Sequence, residues 1–168
     1  MSKIEAGEMM VSPRNTKLAP IVEDSVRSVQ AVAREAGVTI TLATDQIQEV
    51  FADPDRTIQV LVNLLSNAVK HAPSGSKVEV TAGREGGMVA ISVRDHGPGI
   101  PAHKVDFIFE PFTQLDGSDT RRIAGTGLGL TIARALAEKQ GGGIRVASRE
   151  GQGATFTLTV PMADGLTT

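Results

Sequence analysis

The chain has 168 residues, a formal net charge of -2 and no Cys, Trp or Tyr. That length fits one domain with its own core, and the absence of Cys excludes disulfides and thiolate metal sites. A chain without a basic balance or Trp and Tyr rings lacks what single-stranded nucleic acid binding usually requires, and the longest purely apolar run, residues 88–91, cannot span a membrane. We therefore expect no nucleic acid partner and no direct membrane contact of this fragment.

The first elements are predicted from the spacing of apolar residues. Residues 1–17 mix charge, Ser and Pro with little periodicity, which is typical of a linker or a severed end. Helical spacing predicts a first helix over residues 18–37, with Gly37 placed to end it. Alternation then predicts a strand over residues 38–42 and a short second strand at residues 49–52.

The clearest helix follows directly. Asp53 or Asp55 is a candidate N-cap, and Pro54 suits a first helical turn. Apolar residues between Ile58 and Val69 share one face at helical spacing. The pattern thus predicts an amphipathic helix that buries one side and leaves a polar stripe on the other.

The second half of the chain contains two predicted hairpins separated by a long polar stretch. Residues 77–83 and 88–95 alternate as the two strands of the first hairpin. Residues 96–127 are rich in Gly, Asp, Thr and Arg, and loops of that length in compact domains are usually functional or disordered. A third helix starts at Leu128 and stops at the glycines 141–143.

Residues 144–148 and 154–160 predict the second hairpin, which closes the domain. Helices and strands are therefore mixed along the chain and do not strictly alternate. This order favours the α+β class, with a layer of helices on one face of a mainly antiparallel sheet.

Two groups of polar residues are candidates for a site. Asn63, Asn67 and Lys70 form one stripe on the second helix, from which two amide oxygens and an ammonium can reach one ligand. A solvated outer face is the simpler interpretation of that stripe alone. Asp95 ends a strand before Gly97 and Gly99, so its carboxylate can accept from the exocyclic amine of a purine, although an ordinary turn has the same composition.

The run from Gly125 to Leu130 lies at the start of the third helix. Exposed amides and the positive end of the helix dipole favour an anion there, and phosphate is the obvious one. The run lacks the Gly-Lys-Ser/Thr ending of a P-loop. Residues 116–124 before it are polar and charged, so the strand that a dinucleotide fold requires is missing as well.

Four runs in order resemble the asparagine, first glycine, phenylalanine and second glycine boxes of sensor histidine kinases. They are NLLSNAVKH at 63–71, DHGPGI at 95–100, FEPF at 109–112 and GTGLGL at 125–130. The resemblance implies the gyrase, heat-shock chaperone, histidine kinase and mismatch-repair ATPase superfamily. Its fold is a Bergerat-type two-layer α/β sandwich, in which a mixed, mostly antiparallel sheet of about five strands has three main helices on one face and a long ATP lid.

The resemblance also implies boundaries and a ligand. Residues 18–161 would be the ATP-binding catalytic domain, 1–17 a linker or remnant of the helical dimerisation domain, and 162–168 a C-terminal tail. The ligand would be Mg·ATP, with Asn67 on the metal and Asn63 beside it. Since Mg²⁺ keeps several waters and usually binds with substrate phosphates, we expect metal and nucleotide to bind as one unit.

The remaining site residues are implied in the same way. Asp95 would accept from the adenine amine, and Lys70 and His71 would approach phosphate or ribose. Arg121 and Arg122 would meet the γ-phosphate or a partner, with solvent exposure on a loop as an equal alternative. The other residues implied are Gly97, Gly99, Ile100 and Thr155 at the adenine, Phe109 and Phe112 at the root of a lid over residues 113–124, and Gly125, Thr126, Gly127, Leu128, Gly129 and Leu130 at the phosphates.

In the family the phosphoryl acceptor is a histidine on a separate dimerisation and phosphoacceptor domain, and the full-length kinase then serves the receiver domain of a response regulator. His71, His96 and His103 do not have the setting of that acceptor. The resemblance therefore implies a cytoplasmic catalytic domain, of a soluble or a membrane-bound sensor, without its acceptor. Two alternatives stay open: a regulatory module that binds nucleotide without transfer, and a related ATPase or protein-serine kinase of the same superfamily.

Overall fold

The structure is a computed structural model that describes residues 10–44, 47, 49–110 and 129–163. Among the helices in these ranges, none is long and apolar enough to cross a membrane. The elements, in chain order, are β1 (Arg14–Lys17), α1 (Leu18–Ala36), β2 (Thr39–Ala43), β3 (Glu49–Ala52), α2 (Pro54–His71), β4 (Lys77–Glu85), β5 (Met88–Asp95), α3 (Ala102–Val105), α4 (Gly129–Lys139), β6 (Gly143–Ser148) and β7 (Ala154–Pro161).

The main sheet has five strands in the order β2-β4-β5-β7-β6. β2 runs parallel to β4, and all the other neighbours are antiparallel. Val80, Val93 and Phe156 are cross-strand partners on three successive strands, and each is at most 2% exposed because the helices cover this face. The α+β sandwich with a mixed, mostly antiparallel sheet is confirmed.

Helix α2 is the centre of the helical layer and packs against both α1 and α4. Its N-terminus is capped by Asp53, whose Oδ1 accepts from the N–H of Arg56 at 3.1 Å, and Pro54 follows in the first turn. Leu61, Leu64 and their apolar neighbours are almost fully buried, and burial of each such side chain stabilises the fold by about 1.5–3 kcal/mol. The apolar stripe thus decides which way α2 faces, and so where its polar residues lie.

A small second sheet pairs β1 antiparallel with β3, from Arg14 opposite Ala52 to Lys17 opposite Glu49. The sequence pattern predicted β3 but not β1, which lies in the range predicted to be a linker. β1 has no apolar side chain, so alternation gave no signal for it. The pairing fastens residues 14–17 to the rest of the fold.

Two buried polar side chains join three segments beside this small sheet. The Oδ2 of Asp53 accepts from the N–H of Ser12 at 2.8 Å, and the N–H of Asp53 donates to Oε1 of Gln140 at 2.6 Å. Gln140 lies just after α4 and is 3% exposed, and its Oε1 also accepts from the Thr57 hydroxyl at 3.3 Å. The segment before β1, the start of α2 and the end of α4 therefore meet at one hydrogen-bonded junction.

Two details of the second half differ from the sequence-based expectation. Strand β4 continues to Glu85, so the first hairpin turns at Gly86 and Gly87 alone. Helix α3, at Ala102–Val105, lies within the stretch that was predicted as a loop. Four residues are too few for helical periodicity to be visible in a sequence.

Candidate functional site

A cavity opens between the C-terminal end of α2 and the end of β5. Its volume is about 70 Å³, several times the roughly 10–15 Å³ that one water molecule needs, so it has room for a larger group. The lining residues are Asn67, His71, Asp95, Pro98, Gly99, Ile100, Pro101, Ala154 and Phe156. Five of the predicted site residues thus lie together: Asn67, His71, Asp95, Gly99 and Ile100.

Asp95 supplies the carboxylate of this cavity. It is the last residue of β5 and is 3% exposed. Burial raises the pKa of the Asp95 carboxyl above its ordinary value, while the N–H groups of Gly97 and Ala154 and the charge of His71 oppose that rise. The N–H of Gly97 donates to Oδ1 at 2.8 Å. A poorly solvated carboxylate next to apolar walls gains more from a hydrogen-bond donor of a ligand than an exposed one does.

The loop after Asp95 is held tightly against its surroundings. A Cβ at Gly97 would overlap the carbonyl oxygen of His71. The loop is tied to the turn between β6 and β7 by two hydrogen bonds, from the Gly151 N–H to the Pro98 carbonyl at 2.6 Å and from the Ile100 N–H to the Ser148 hydroxyl at 2.8 Å. Glycine is therefore required at position 97 by contact with the backbone of α2, and the contact fixes the floor of the cavity.

We expect Gly97→Ala to weaken nucleotide binding by about 5- to 150-fold, because relieving an overlap with backbone moves the loop beside the cavity at a typical cost of about 1–3 kcal/mol. The matched control is Gly83→Ala, since a Cβ there would meet nothing within 4 Å. Isothermal titration calorimetry of both variants with ATP measures the difference. Equal affinities for the two variants would show that the position of this loop does not matter to the cavity.

His71 is the last residue of α2 and is part of the cavity lining. Its Nδ1 lies 2.9 Å from the main-chain carbonyl oxygen of Asn67, and because a carbonyl can only accept, Nδ1 must carry the proton. Its Nε2 is buried and makes no hydrogen bond within the structure. His71 thus has one ring nitrogen anchored to the backbone of α2 and one that is buried without a partner among the described residues.

The residues of the predicted polar stripe on α2 have different surroundings in the structure. Asn67 lines the cavity, whereas Nδ2 of Asn63 donates to the carbonyl of Gly129 at 3.2 Å and so joins α2 to the first residue of α4. Lys70 is half-buried on the same helix but is not part of the cavity lining. Within the described ranges, no three His, Cys, Asp or Glu side chains are grouped to hold a metal ion. Asn67 as a metal ligand stays a prediction.

Phe109 packs behind the cavity wall. Its ring makes an edge-to-face contact with the ring of Phe156, with 6.3 Å between the two centroids. The guanidinium of Arg134, a residue of α4, lies 5.2 Å from the centroid of the Phe109 ring. Phe156 lines the cavity itself. The residue predicted at the root of the lid is thus one layer behind the cavity, against the start of α4.

Thr155 is not part of the cavity lining, and its place near the adenine stays a prediction. Its neighbours Ala154 and Phe156 line the cavity instead, because successive strand residues point to opposite faces of a sheet. Gly129 and Leu130 begin α4 and are half-buried. The predicted residues that lie outside the described part of the chain are Phe112, the lid residues 113–124 with Arg121 and Arg122, Gly125, Thr126, Gly127 and Leu128.

Comparison with known proteins adds independent information. The family described as histidine kinase-, DNA gyrase B- and HSP90-like ATPase matches residues 52–164. An uncharacterized sensor-like histidine kinase of Rhizobium meliloti (strain 1021) is 40% identical over 164 residues, which are 96% of this chain and 31% of the relative. The chain spans 20–31% of the length of the curated relatives that it matches first.

Two solved structures share the fold. The nucleotide-free catalytic domain of the histidine kinase ThkA superposes with a TM-score of 0.77 at 29% identity, covering 90% of this chain and 96% of that one. Full-length ShkA in complex with AMPPNP superposes with a TM-score of 0.77 at 33% identity, covering 93% of this chain and 32% of ShkA. The match to ThkA extends over nearly the whole of a separately solved domain.

Proposed function

Because the chain belongs to the family of histidine kinase-, DNA gyrase B- and HSP90-like ATPases, we propose that its cavity binds the adenine end of Mg·ATP and that the domain donates the γ-phosphoryl group to a histidine on a separate dimerisation and phosphoacceptor domain. The observation that carries the proposal is the buried Asp95 carboxylate at the end of β5, in a cavity with apolar walls. The partner domain and the response regulator downstream of it belong to this proposal, as does a cytoplasmic location.

The cavity suits an adenine ring for three reasons. Asp95 is an acceptor that matches an exocyclic amine, and such charge-assisted hydrogen bonds are worth about 1.5–3 kcal/mol. Ile100 and Phe156 offer apolar surface to the faces of a flat ring. Gly97 and Gly99 let the loop beside the cavity lie against the backbone carbonyls of His71 and Arg149, which a Cβ at either position would overlap. A guanine in the same place would set its 6-oxo group against the carboxylate, which disfavours it.

The phosphates would lie toward Asn67 and the start of α4. The amide oxygen of Asn67 is of the kind that Mg²⁺ prefers, but it is neutral, so metal and nucleotide are expected to bind together. The N–H groups in the first turn of α4 and the helix dipole favour an anion at that end. When bound, the metal neutralises phosphate charge and thereby supports phosphoryl transfer.

The described residues around the cavity do not need to supply a nucleophile, because phosphoryl transfer depends mostly on positioning and on charge stabilisation. Asn63 is consistent with transfer to a partner in place of hydrolysis. Its amide has no basic group to activate a water molecule, and it is engaged with the Gly129 carbonyl. The resemblance implies that the ATPase branch of the superfamily has a glutamate base at this position.

The test is transfer in trans. The chain is mixed with radiolabelled ATP, Mg²⁺ and the helical domain of its own kinase, and phosphohistidine is identified by its lability in acid and stability in base. We expect label on the helical domain and none on the chain alone. The control is the same helical domain with its acceptor histidine replaced by Gln. Robust labelling of the chain alone, or ATP turnover without any partner, would contradict the proposal and favour the related ATPases.

A further inference from the structure

Thr131, in the first turn of α4, makes a hydrogen bond outside its own helix. A threonine further along a helix commonly donates to a carbonyl of the preceding turn, but a residue in the first turn has no such turn before it. The Thr131 hydroxyl instead donates to the main-chain carbonyl of Phe109 at 2.6 Å, 22 residues earlier in the chain. The side chain thus joins two separate segments, and it belongs to none of the residues predicted to bind the nucleotide.

Phe109, whose carbonyl accepts the Thr131 hydrogen bond, is also packed by two other side chains. The Phe109 ring is 9% exposed, with the Phe156 ring edge-on at 76° and the Arg134 guanidinium 5.2 Å from its centroid. Arg134 lies one helical turn after Thr131 on the same α4 face, so both contacts come from the start of that helix. Phe109 is therefore held between the wall of the cavity and α4.

A second contact fixes the same end of α4 from the other direction. Asn63 donates to the carbonyl of Gly129, the first residue of α4, and Asn63 lies one turn before Asn67 on α2. The start of α4 is thus held in place by α2, the helix that carries Asn67, through the Asn63 hydrogen bond. It is also held, through Thr131 and Phe109, against Phe156 in the cavity wall. These are the two sides of the cavity between which a nucleotide would lie.

We propose that Thr131 is a positioning residue, whose hydroxyl sets the first turn of α4 against the Phe109–Phe156 wall and so aligns the N-terminal end of α4 with the phosphates of a nucleotide in the cavity. The inference rests on the proposed function. It assigns the alignment of α4 with the phosphates of the nucleotide to Thr131, a residue outside the four boxes. Because the Thr131 hydroxyl already donates to the Phe109 carbonyl, it affects the nucleotide through the position of α4. Its effect should therefore grow with the number of phosphates on the ligand.

The test compares Thr131→Val, which keeps the shape but removes the hydroxyl, with Thr131→Ser, which keeps the hydroxyl. Thr131→Ala serves as a second variant without the hydroxyl. Calorimetry gives the dissociation constants for adenosine and for Mg·ATP. We expect the Val and Ala variants to bind Mg·ATP about tenfold more weakly than wild type, the upper effect of one hydrogen bond, and adenosine within about twofold. Thr131→Ser should restore Mg·ATP affinity to within about twofold of wild type.

Three outcomes would overturn the inference. They are an unchanged Mg·ATP affinity in Thr131→Val, an equal loss for adenosine and Mg·ATP, which would indicate a general role in the cavity wall, and a failure of Thr131→Ser to restore binding. Transfer kinetics give a second readout, since misalignment predicts a lower kcat with little change in the affinity for the helical partner domain. If wild type binds neither adenosine nor Mg·ATP, the proposed function itself is refuted, and that result is distinct from the other three.

Discussion

Replacing Asp95 by Asn is expected to weaken ATP binding by about 10- to 150-fold, the equivalent of one charge-assisted hydrogen bond of about 1.5–3 kcal/mol. Asn retains an oxygen that can accept from Gly97, so the loop keeps its anchor while the charge is lost. Calorimetric titration with ATP measures the change. The matched control is Asp106→Asn, an exposed carboxylate outside the cavity lining, which should bind like wild type. Equal losses in the two variants would show that Asp95 does not recognise the ligand.

The same substitution should stabilise the free protein at neutral pH. Burial raises the pKa of Asp95 in the folded state above its value of about 3.9 in the unfolded chain, so the folded state binds more protons between those two values. Stability therefore falls as the pH rises through that window, and the loss persists at pH 7. We expect Asp95→Asn to have a higher Tm than wild type at pH 7 and a smaller advantage at pH 4. A lower Tm at pH 7 would contradict this reasoning.

Nucleotide binding should depend on pH in the opposite sense. A hydrogen bond from an amine to the carboxylate favours the charged form, so ATP affinity is expected to fall as the pH is lowered toward the raised pKa of Asp95. Titrations of wild type and Asp95→Asn between pH 8 and pH 5 separate this effect from the protonation of ATP itself. The variant should show the weaker dependence. Parallel pH curves would mean that another group controls binding.

Replacing Asn67 by Ala is expected to lower the rate of phosphoryl transfer by about 100- to 1,000-fold, the usual effect of removing one group that stabilises developing charge. ATP affinity should fall much less, because the contacts proposed for the adenine, at Asp95 and Ile100, do not involve the Asn67 side chain. Single-turnover transfer to the helical domain measures the rate, and calorimetry measures the affinity. The two readouts therefore distinguish a role with the metal from a role in holding the base.

Ser66→Ala is the control for this prediction, since Ser66 is the neighbouring polar residue on α2 and is exposed. It should transfer at the wild-type rate. A transfer rate for Asn67→Ala within about threefold of this control would remove Asn67 from the chemistry. A loss of ATP affinity as large as the loss of rate would assign Asn67 to nucleotide binding alone.

The features that could be predicted from sequence are those that repeat along the chain. Helices α1 and α2 run for 19 and 18 residues, so their apolar stripes contain many independent positions, and caps such as Asp53 and Gly37 mark their ends. Strand β5 alternates over all eight residues because helices cover one face, β7 does so except at the buried Thr157, and β4 does so from Lys77 to Thr81. The cavity at the end of β5 was expected from the four boxes and not from periodicity, and the order of the strands in the sheet was not predicted.

The features that could not be predicted depend on contacts between distant residues. The strand β1 is too short and polar to show a pattern, and it exists because β3 offers it a partner. The hydrogen bonds of Thr131 with Phe109 and of Ser148 with Ile100 join positions 22 and 48 residues apart, and nothing local to either residue reveals them. The resemblance implied Thr155 near the adenine, but a period of two alone does not say whether Thr155 or its neighbours Ala154 and Phe156 face the cavity.

The junction at Asp53 bears on how the domain can be cut out for study. A version of the chain that starts at Leu18, where the first helix begins, would remove both the partner of β3 and the Ser12 amide that Asp53 accepts from. The exposed edge of β3 would then offer unpaired backbone groups to other molecules, a known route to aggregation. An expression boundary placed before Met10, whose carbonyl accepts from Arg56, keeps all of these contacts.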